Sequence, residues 1–171
     1  MLIGVPGYDT TASVVQNGGA AYFFRWDGAM WDAFTPSVGS GDGDQYGVSM
    51  VANGGLFCIG SLSEYIRTAI FNGSSFTFSA NSTSSFSGFG TVMALGPSTF
   101  VSGLPSYGGG GAALVYTRSG NSLTAPVLQY GGMVEPGDNL GEAVAAIGSV
   151  AFAGGGGISL PGGITQGAVR R

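Results

Sequence analysis

Histidine and lysine are missing from this 171-residue chain altogether, and cysteine occurs once, at Cys58. Without histidine there is no histidine-based catalytic triad, and with a single thiol there is no zinc site from the usual nitrogen and sulfur ligands. One cysteine forms no internal disulfide. Its setting in the run Leu56-Phe57-Cys58-Ile59 reads as a small buried hydrophobe, not a reactive thiol. Charge is scarce too: charged residues make up 8% of the chain and the net charge is −4. The basic residues Arg25, Arg67, Arg118, Arg170 and Arg171 are scattered. They form no stripe that would neutralise phosphates, so nucleic acid is not an expected partner. No apolar run approaches the roughly 18 residues of a membrane-crossing helix, and residues 1–6 lack the basic start of a signal peptide. Helical periodicity is nearly absent. Residues 142–147 have the propensity for a short helix, but their place in the pattern described next assigns them to a strand.

What the chain has in quantity is glycine, 34 residues of 171, together with 44% hydrophobic residues. Disordered chains are charge-rich and poor in apolar residues, so this composition points to order. The glycines then serve tight turns and bulges, which implies many short strands. Residues 111–154 hold one full cycle: an apolar strand, a polar turn at 118–121, a second strand at 123–129, a long loop at 130–139, a strand opening on Leu140-Gly141, and a fourth strand at 150–153. Its landmarks recur. An aromatic or Leu followed by Gly stands at Tyr46-Gly47, Phe89-Gly90 and Leu140-Gly141. An apolar strand ends in Gly at Gly4, Gly60, Gly103 and Gly154. Short turns with Asn-Gly, Asp-Gly or Ser-Gly fall between, at Asp27-Gly28, Asn53-Gly54, Asn72-Gly73 and Ser119-Gly120. Four strands per unit at a spacing of roughly 45 residues predict an all-β fold, a β-propeller of four-stranded antiparallel blades. The units are 1–34, 46–80, 89–129 and 140–170. The first lacks its inner strand and the last its outer one, so the chain amounts to about three and a half blades.

The long connections, 35–45, 81–88 and 130–139 between units and 6–18 and 155–166 within them, fall at one end of the strands. A rigid β scaffold usually carries recognition on such a loop face. The exposed aromatics expected there, Tyr8, Tyr107 and Tyr130, with Phe86 and Tyr65 near the edge, are the candidate ligand-binding residues. They suit a protein or carbohydrate surface. Trp26 and Trp31, which bracket the Asp27-Gly28 turn, read as aromatics packed between blades. The Gly-rich runs 108–111 and 154–157 read as flexible connections, because a phosphate-cradling loop needs a following helix.

The ordered segments Gly111-Ala112-Ala113-Leu114-Val115-Tyr116, Thr117-Arg118-Ser119-Gly120 and Gly137-Asp138-Asn139-Leu140-Gly141 resemble the FG-GAP repeats of integrin-alpha-like β-propellers, in their bacterial form. A second copy runs through Gly19-Ala20-Ala21-Tyr22-Phe23-Phe24 and Gly43-Asp44-Gln45-Tyr46-Gly47. The resemblance implies a non-catalytic, extracellular recognition or adhesion module at a cell or virion surface. Calcium-binding members carry acidic loops between the first two strands of a blade. Here those connections, such as Asn53-Gly54-Gly55 and Gly148-Ser149, hold no carboxylate and have no room for a cage of six to eight oxygens. The acidic pair Asp42 and Asp44 is the one weak candidate for calcium or another metal, and its loop offers too few oxygens for a complete site. An acid/base pair would have to come from the nine carboxylates alone, and no spacing singles one out, so no enzyme is expected. The missing strands suggest a second class of function. In it the chain is a structural subunit of a multi-chain assembly (a virion appendage, capsid decoration or surface filament), with other copies or chains completing the propeller.

Overall fold

Gly54, Gly73 and Gly120 carry φ of +54°, +100° and +60°. This is the left-handed backbone that glycine enters without a Cβ penalty and that tight hairpins require. The expected turns do fold the chain back on itself at these positions. The computed structural model describes residues 1–9, 15–124, 126–129, 136–160 and 164–170, with backbone alone at 129, 158–160 and 164–170. Among the described residues every regular element is a strand, apart from a single 3-10 turn at Tyr107–Gly109.

The strands form four antiparallel sheets in chain order. The first holds β1 (Leu2–Val5) and β2 (Ala20–Trp26), with β3 (Trp31–Ala33) and β4 (Ser37–Val38) both on the outer side of β2. The second runs β5 (Ser49–Asn53), β6 (Leu56–Gly60), β7 (Tyr65–Phe71), with β8 (Phe76–Phe78) and β9 (Ser82–Thr83) both on β7. The third repeats that order with β10 (Val92–Leu95), β11 (Thr99–Leu104), β12 (Ala112–Ser119), β13 (Ser122–Leu123) and β14 (Val127–Gln129). The fourth holds β15 (Ala143–Ile147), β16 (Val150–Leu160) and β17 (Ile164–Arg170).

Two expectations are corrected. The strand expected over 123–129 is broken into β13 and β14, as the outer strand is in the first two sheets. The loop expected over 155–166 is largely strand, and with it goes the flexible reading of glycines 154–157. β16 runs on to Leu160 and pairs with β17, with a register shift between Gly155 and Ile158. The cause is steric. A Cβ at Gly155 would collide with the carbonyl of Asp138, and one at Gly157 with the carbonyl of Gly137. Glycine is therefore what lets the strand pass beneath the 137–140 loop.

The same close approach joins successive sheets. The glycine ending the second strand of one unit lies against the glycine of the next opening dipeptide: Gly4 on Gly47, Gly60 on Gly90, Gly103 on Gly141. The aromatic or Leu of each dipeptide is buried, Tyr46, Phe89 and Leu140 alike. The three dipeptides thus occupy equivalent places, two residues ahead of β5, β10 and β15.

Successive sheets pack face to face, the front face of each later sheet on the rear face of the one before it, and three apolar clusters fill these junctions. The first packs Phe23 of β2 against Ile59, Tyr65 and Ala69 of the second sheet. It includes six phenylalanines, Phe23, Phe34, Phe57, Phe71, Phe76 and Phe78, with contacting ring centroids 4.3 to 6.3 Å apart. The second joins Leu56, Cys58 and Ile66 to Met93, Phe100 and Leu114. The third sets Val101 and Ala113 against Leu140 and Ala153.

Three arginines cross these junctions. Arg25 donates to the Gly73 carbonyl (2.9 Å) and pairs with Asp32 (2.8 Å). Arg67 donates to Ser37 Oγ (3.1 Å) and lies over the Tyr46 ring. Arg118 reaches the Asn53 turn.

Candidate functional site

The loops between units and the β2 and β12 entries do gather at one end, and they are bonded to one another. Gly43, Gln45 and Tyr46 donate to the carbonyls of Gln16, Asn17 and Gly18, and in the third unit Gly137 and Leu140 donate to Gly109 and Gly110. The third position of the loop has φ of +46° at Gln45 and +55° at Asn139, a conformation Asn tolerates better than most residues.

Asp42 and Asp44 do not face one another as ligands. Asp42 is exposed and accepts a hydrogen bond from the Gln16 amide (2.9 Å). Asp44 is buried, and its Oδ2 accepts from the amides of Ser40 (3.1 Å) and Gly41 (2.8 Å) and from the Tyr65 hydroxyl (3.1 Å). Its carbonyl accepts from Leu62 N and Ser61 Oγ. Asp44 is a loop clamp joining the first two sheets, and no cluster of three or more metal-ligating side chains exists among the described residues.

Tyr65 is not an exposed edge aromatic. It is 5% exposed and stacks on Tyr46 (5.9 Å, 20°). Tyr8 is half-buried, edge-on to Tyr22 at 6.3 Å. Tyr107 is half-buried, edge-on to Phe86 at 5.0 Å. Tyr130 lies outside the described residues. Among the described candidates, Phe86 and Tyr107 are the pair in ring contact. Trp26 and Trp31, expected between blades, are instead 52% and 50% exposed and pack on each other at 5.5 Å.

Phe86 belongs to a feature that sequence reasoning missed, a groove of about 580 Å³ between the outer strands of the second and third sheets. Phe86 and Tyr116 contribute half-buried aromatic surface, and the core residues Phe89 and Phe100 lie beneath it. Thr68, Ser79, Ser82 and Thr83 line it from one sheet, and Asn121, Ser122 and Thr124 from the other. No charged side chain lines it. The Ser/Thr-rich stretch 79–87 was the available signal, but only the fold sets it opposite 121–124.

Burial pushes Tyr116 and Tyr65 up to about 12, for Tyr65 reinforced by the Asp44 carboxylate, and pushes Cys58 up to about 12 against the opposing effect of Arg118. Burial also raises Tyr46. The unfolded chain releases the Cys58, Tyr65 and Tyr116 protons near pH 9 to 10 whereas the folded chain keeps them to about 12. The native state therefore holds more protons in that window, and stability falls as pH rises through it. Alkaline titration followed by phenolate absorbance is expected to show Tyr46, Tyr65 and Tyr116 ionising together with loss of the far-UV strand signal. Smooth titration of all seven tyrosines near pH 10 with the fold intact would contradict this burial.

No family model matches the chain, and no match was found among curated proteins or solved structures.

Proposed function

We propose that the chain is a non-catalytic recognition and adhesion module built on propeller-like blades, and that its groove takes an uncharged, hydroxyl-rich ligand such as a surface glycan. The carrying observation is the groove's chemistry: aromatic surface flanked by hydroxyl and amide side chains with no formal charge. Aromatic rings offer the apolar face of a sugar a flat contact, and hydroxyls and amides both donate and accept hydrogen bonds. Tyr116, held protonated to about pH 12, is the groove's one titratable side chain. That favours binding over proton transfer. The radial reading of the sheets as blades rests on the three equivalent glycine junctions. The likeness to FG-GAP repeats fits the same landmarks, and that likeness alone is what supports a setting at a cell or virion surface.

A panel of neutral oligosaccharides, screened by array and followed by calorimetry, tests the reading. Ser122→Trp, which fills the groove from an exposed position, is expected to weaken the best ligand at least tenfold while leaving the unfolding midpoint unchanged. Absence of binding across the panel, or binding indifferent to the tryptophan, would refute it.

A further inference from the structure

The row of four sheets ends in two faces that have no neighbour within the described chain, and the register shows what kind of surface each is. Gly4 pairs with Ala21 as Gly60 pairs with Ile66 and Gly103 with Ala113, so Ile3 is the counterpart of Ile59. Ile59 is fully buried on the front face of the second sheet, whereas Ile3 is 41% exposed. On the same front face of the first sheet stand Met1 (57% exposed), Val5, Tyr22 and the Trp26–Trp31 pair. Their counterpart positions in the third sheet, Phe100 for Met1, Leu104 for Val5 and Leu114 for Tyr22, are buried in a junction.

The other end mirrors this. Phe152 pairs with Ala145 as Val101 pairs with Ala94 and Cys58 with Val51. Cys58 and Val101 are 0% exposed in their junctions. Phe152 is left half-buried, beside exposed Ala143 and Ala145 and with Ile147 at 69% exposure. In the interior of the row, each such rear face is covered by the front face of the next repeat.

From this we propose that the rear face of the fourth sheet docks on the front face of the first sheet of a second copy of the chain. The match is one of size and charge. Alanines at 143 and 145 leave room for the large Tyr22, Trp26 and Trp31, as interdigitating layers require. None of the side chains named on either face is charged. Contiguous exposed apolar surface of this kind marks an interaction site. The two surfaces differ, so the joint is head-to-tail, and it closes when the rotation allows. Two copies bring eight sheets, at the upper end of the roughly four to eight blades of closed propellers. The inference rests on the blade-like reading of the sheets but not on ligand binding by the groove, and glycan binding and self-association are measured separately.

Sedimentation velocity and light scattering on the whole chain provide the test. The expected mass is twice the 17.0 kDa of the chain. Trp26 and Trp31 are the only tryptophans, so intrinsic fluorescence reports this face alone, and emission is expected to move to the red on dilution as the joint opens. Ala145→Glu and Ile3→Glu, both at exposed positions, should each halve the mass. Mixing the two variants should restore association, because each retains the face the other lacks. A wild-type monomer at all concentrations, with red-shifted emission throughout, would overturn the proposal and leave another protein or further chain as the cover. So would an oligomer insensitive to both variants, or monomeric variants that fail to complement. A variant that does not fold leaves the dilution fluorescence of the wild type to decide.

Discussion

Gly60→Ala is expected to be among the most damaging single-methyl additions in the chain, destabilising it by more than about 4 kcal/mol, a loss large enough to threaten the whole margin of a small domain. The added Cβ would fall on the carbonyl oxygen of Gly90, with the Gly90 carbonyl carbon 2.7 Å away. The obstacle is backbone, so no side chain can swing aside, and relief requires prising the second and third sheets apart. Gly60 itself does not have a left-handed φ, so conformational strain contributes nothing and the effect is purely one of contact. Gly73→Ala supplies the contrast. Gly73 has φ +100° and open space around it, so alanine there costs only the strain of a left-handed backbone, roughly 1 to 2 kcal/mol. Denaturant unfolding of the two variants side by side checks the claim. Near-equal midpoints would show that the glycine junction yields easily, and the sheet-to-sheet packing inferred from it would fall. Gly103→Ala, aimed at the Gly141 carbonyl in the same way, should repeat the large loss.

Arg118→Met is expected to cost about 3 to 5 kcal/mol although it exchanges a charged side chain for an apolar one of similar length. Arg118 is 8% exposed. Its guanidinium donates to the carbonyls of Gly120 (2.7 Å), Gly96 (2.9 Å) and Asn53 (2.8 Å), and to Asn53 Oδ1 (3.0 Å). One side chain thus ties its own hairpin turn, the β10–β11 turn beside it and the β5–β6 turn of the preceding sheet. Methionine fills the space but leaves these acceptors without their donor, and an unmet buried acceptor costs about 1 to 3 kcal/mol each before relaxation. Lysine at 118 should rescue little, since an ammonium lacks the planar fork that serves several carbonyls at once. Combining Arg118→Met with Asn53→Ala should be less damaging than the sum of the two. Strict additivity in that cycle would mean that the Asn53 contact carries no stability.

Local chemistry explains why so much of the strand order could be read in advance. Asn-Gly, Asp-Gly and Ser-Gly turns act on adjacent residues, and alternation within four to eight residues decides which side chains share a face. The four-part cycle was therefore legible, and so was the burial of Cys58 within its apolar run. The equivalence of Tyr46-Gly47, Phe89-Gly90 and Leu140-Gly141 was legible for the same reason. Glycine at the second position of each is required by a left-handed φ, +90°, +86° and +95° in turn.

What failed did so where a distant backbone made the decision. Glycines 154–157 look like a flexible connection until the 137–140 loop is laid across them, when Gly155 and Gly157 prove to be positions at which any Cβ would strike that loop's backbone. Tyr65 looks like a loop aromatic until Asp44, 21 positions away, takes its hydroxyl and Tyr46 its ring. Arg118 looks like a turn residue until Asn53, 65 positions away, is set beside it. The groove likewise shows in the sequence only as a Ser/Thr-rich stretch at 79–87, and nothing local sets that stretch opposite 121–124. Turn and strand preferences are settled by neighbours in the chain, and so the sequence by itself determined the kind and order of the elements. Which faces are covered, which hydroxyls are engaged and where a ligand-sized space remains depend on how one sheet seats on the next, and only the tertiary structure decided that.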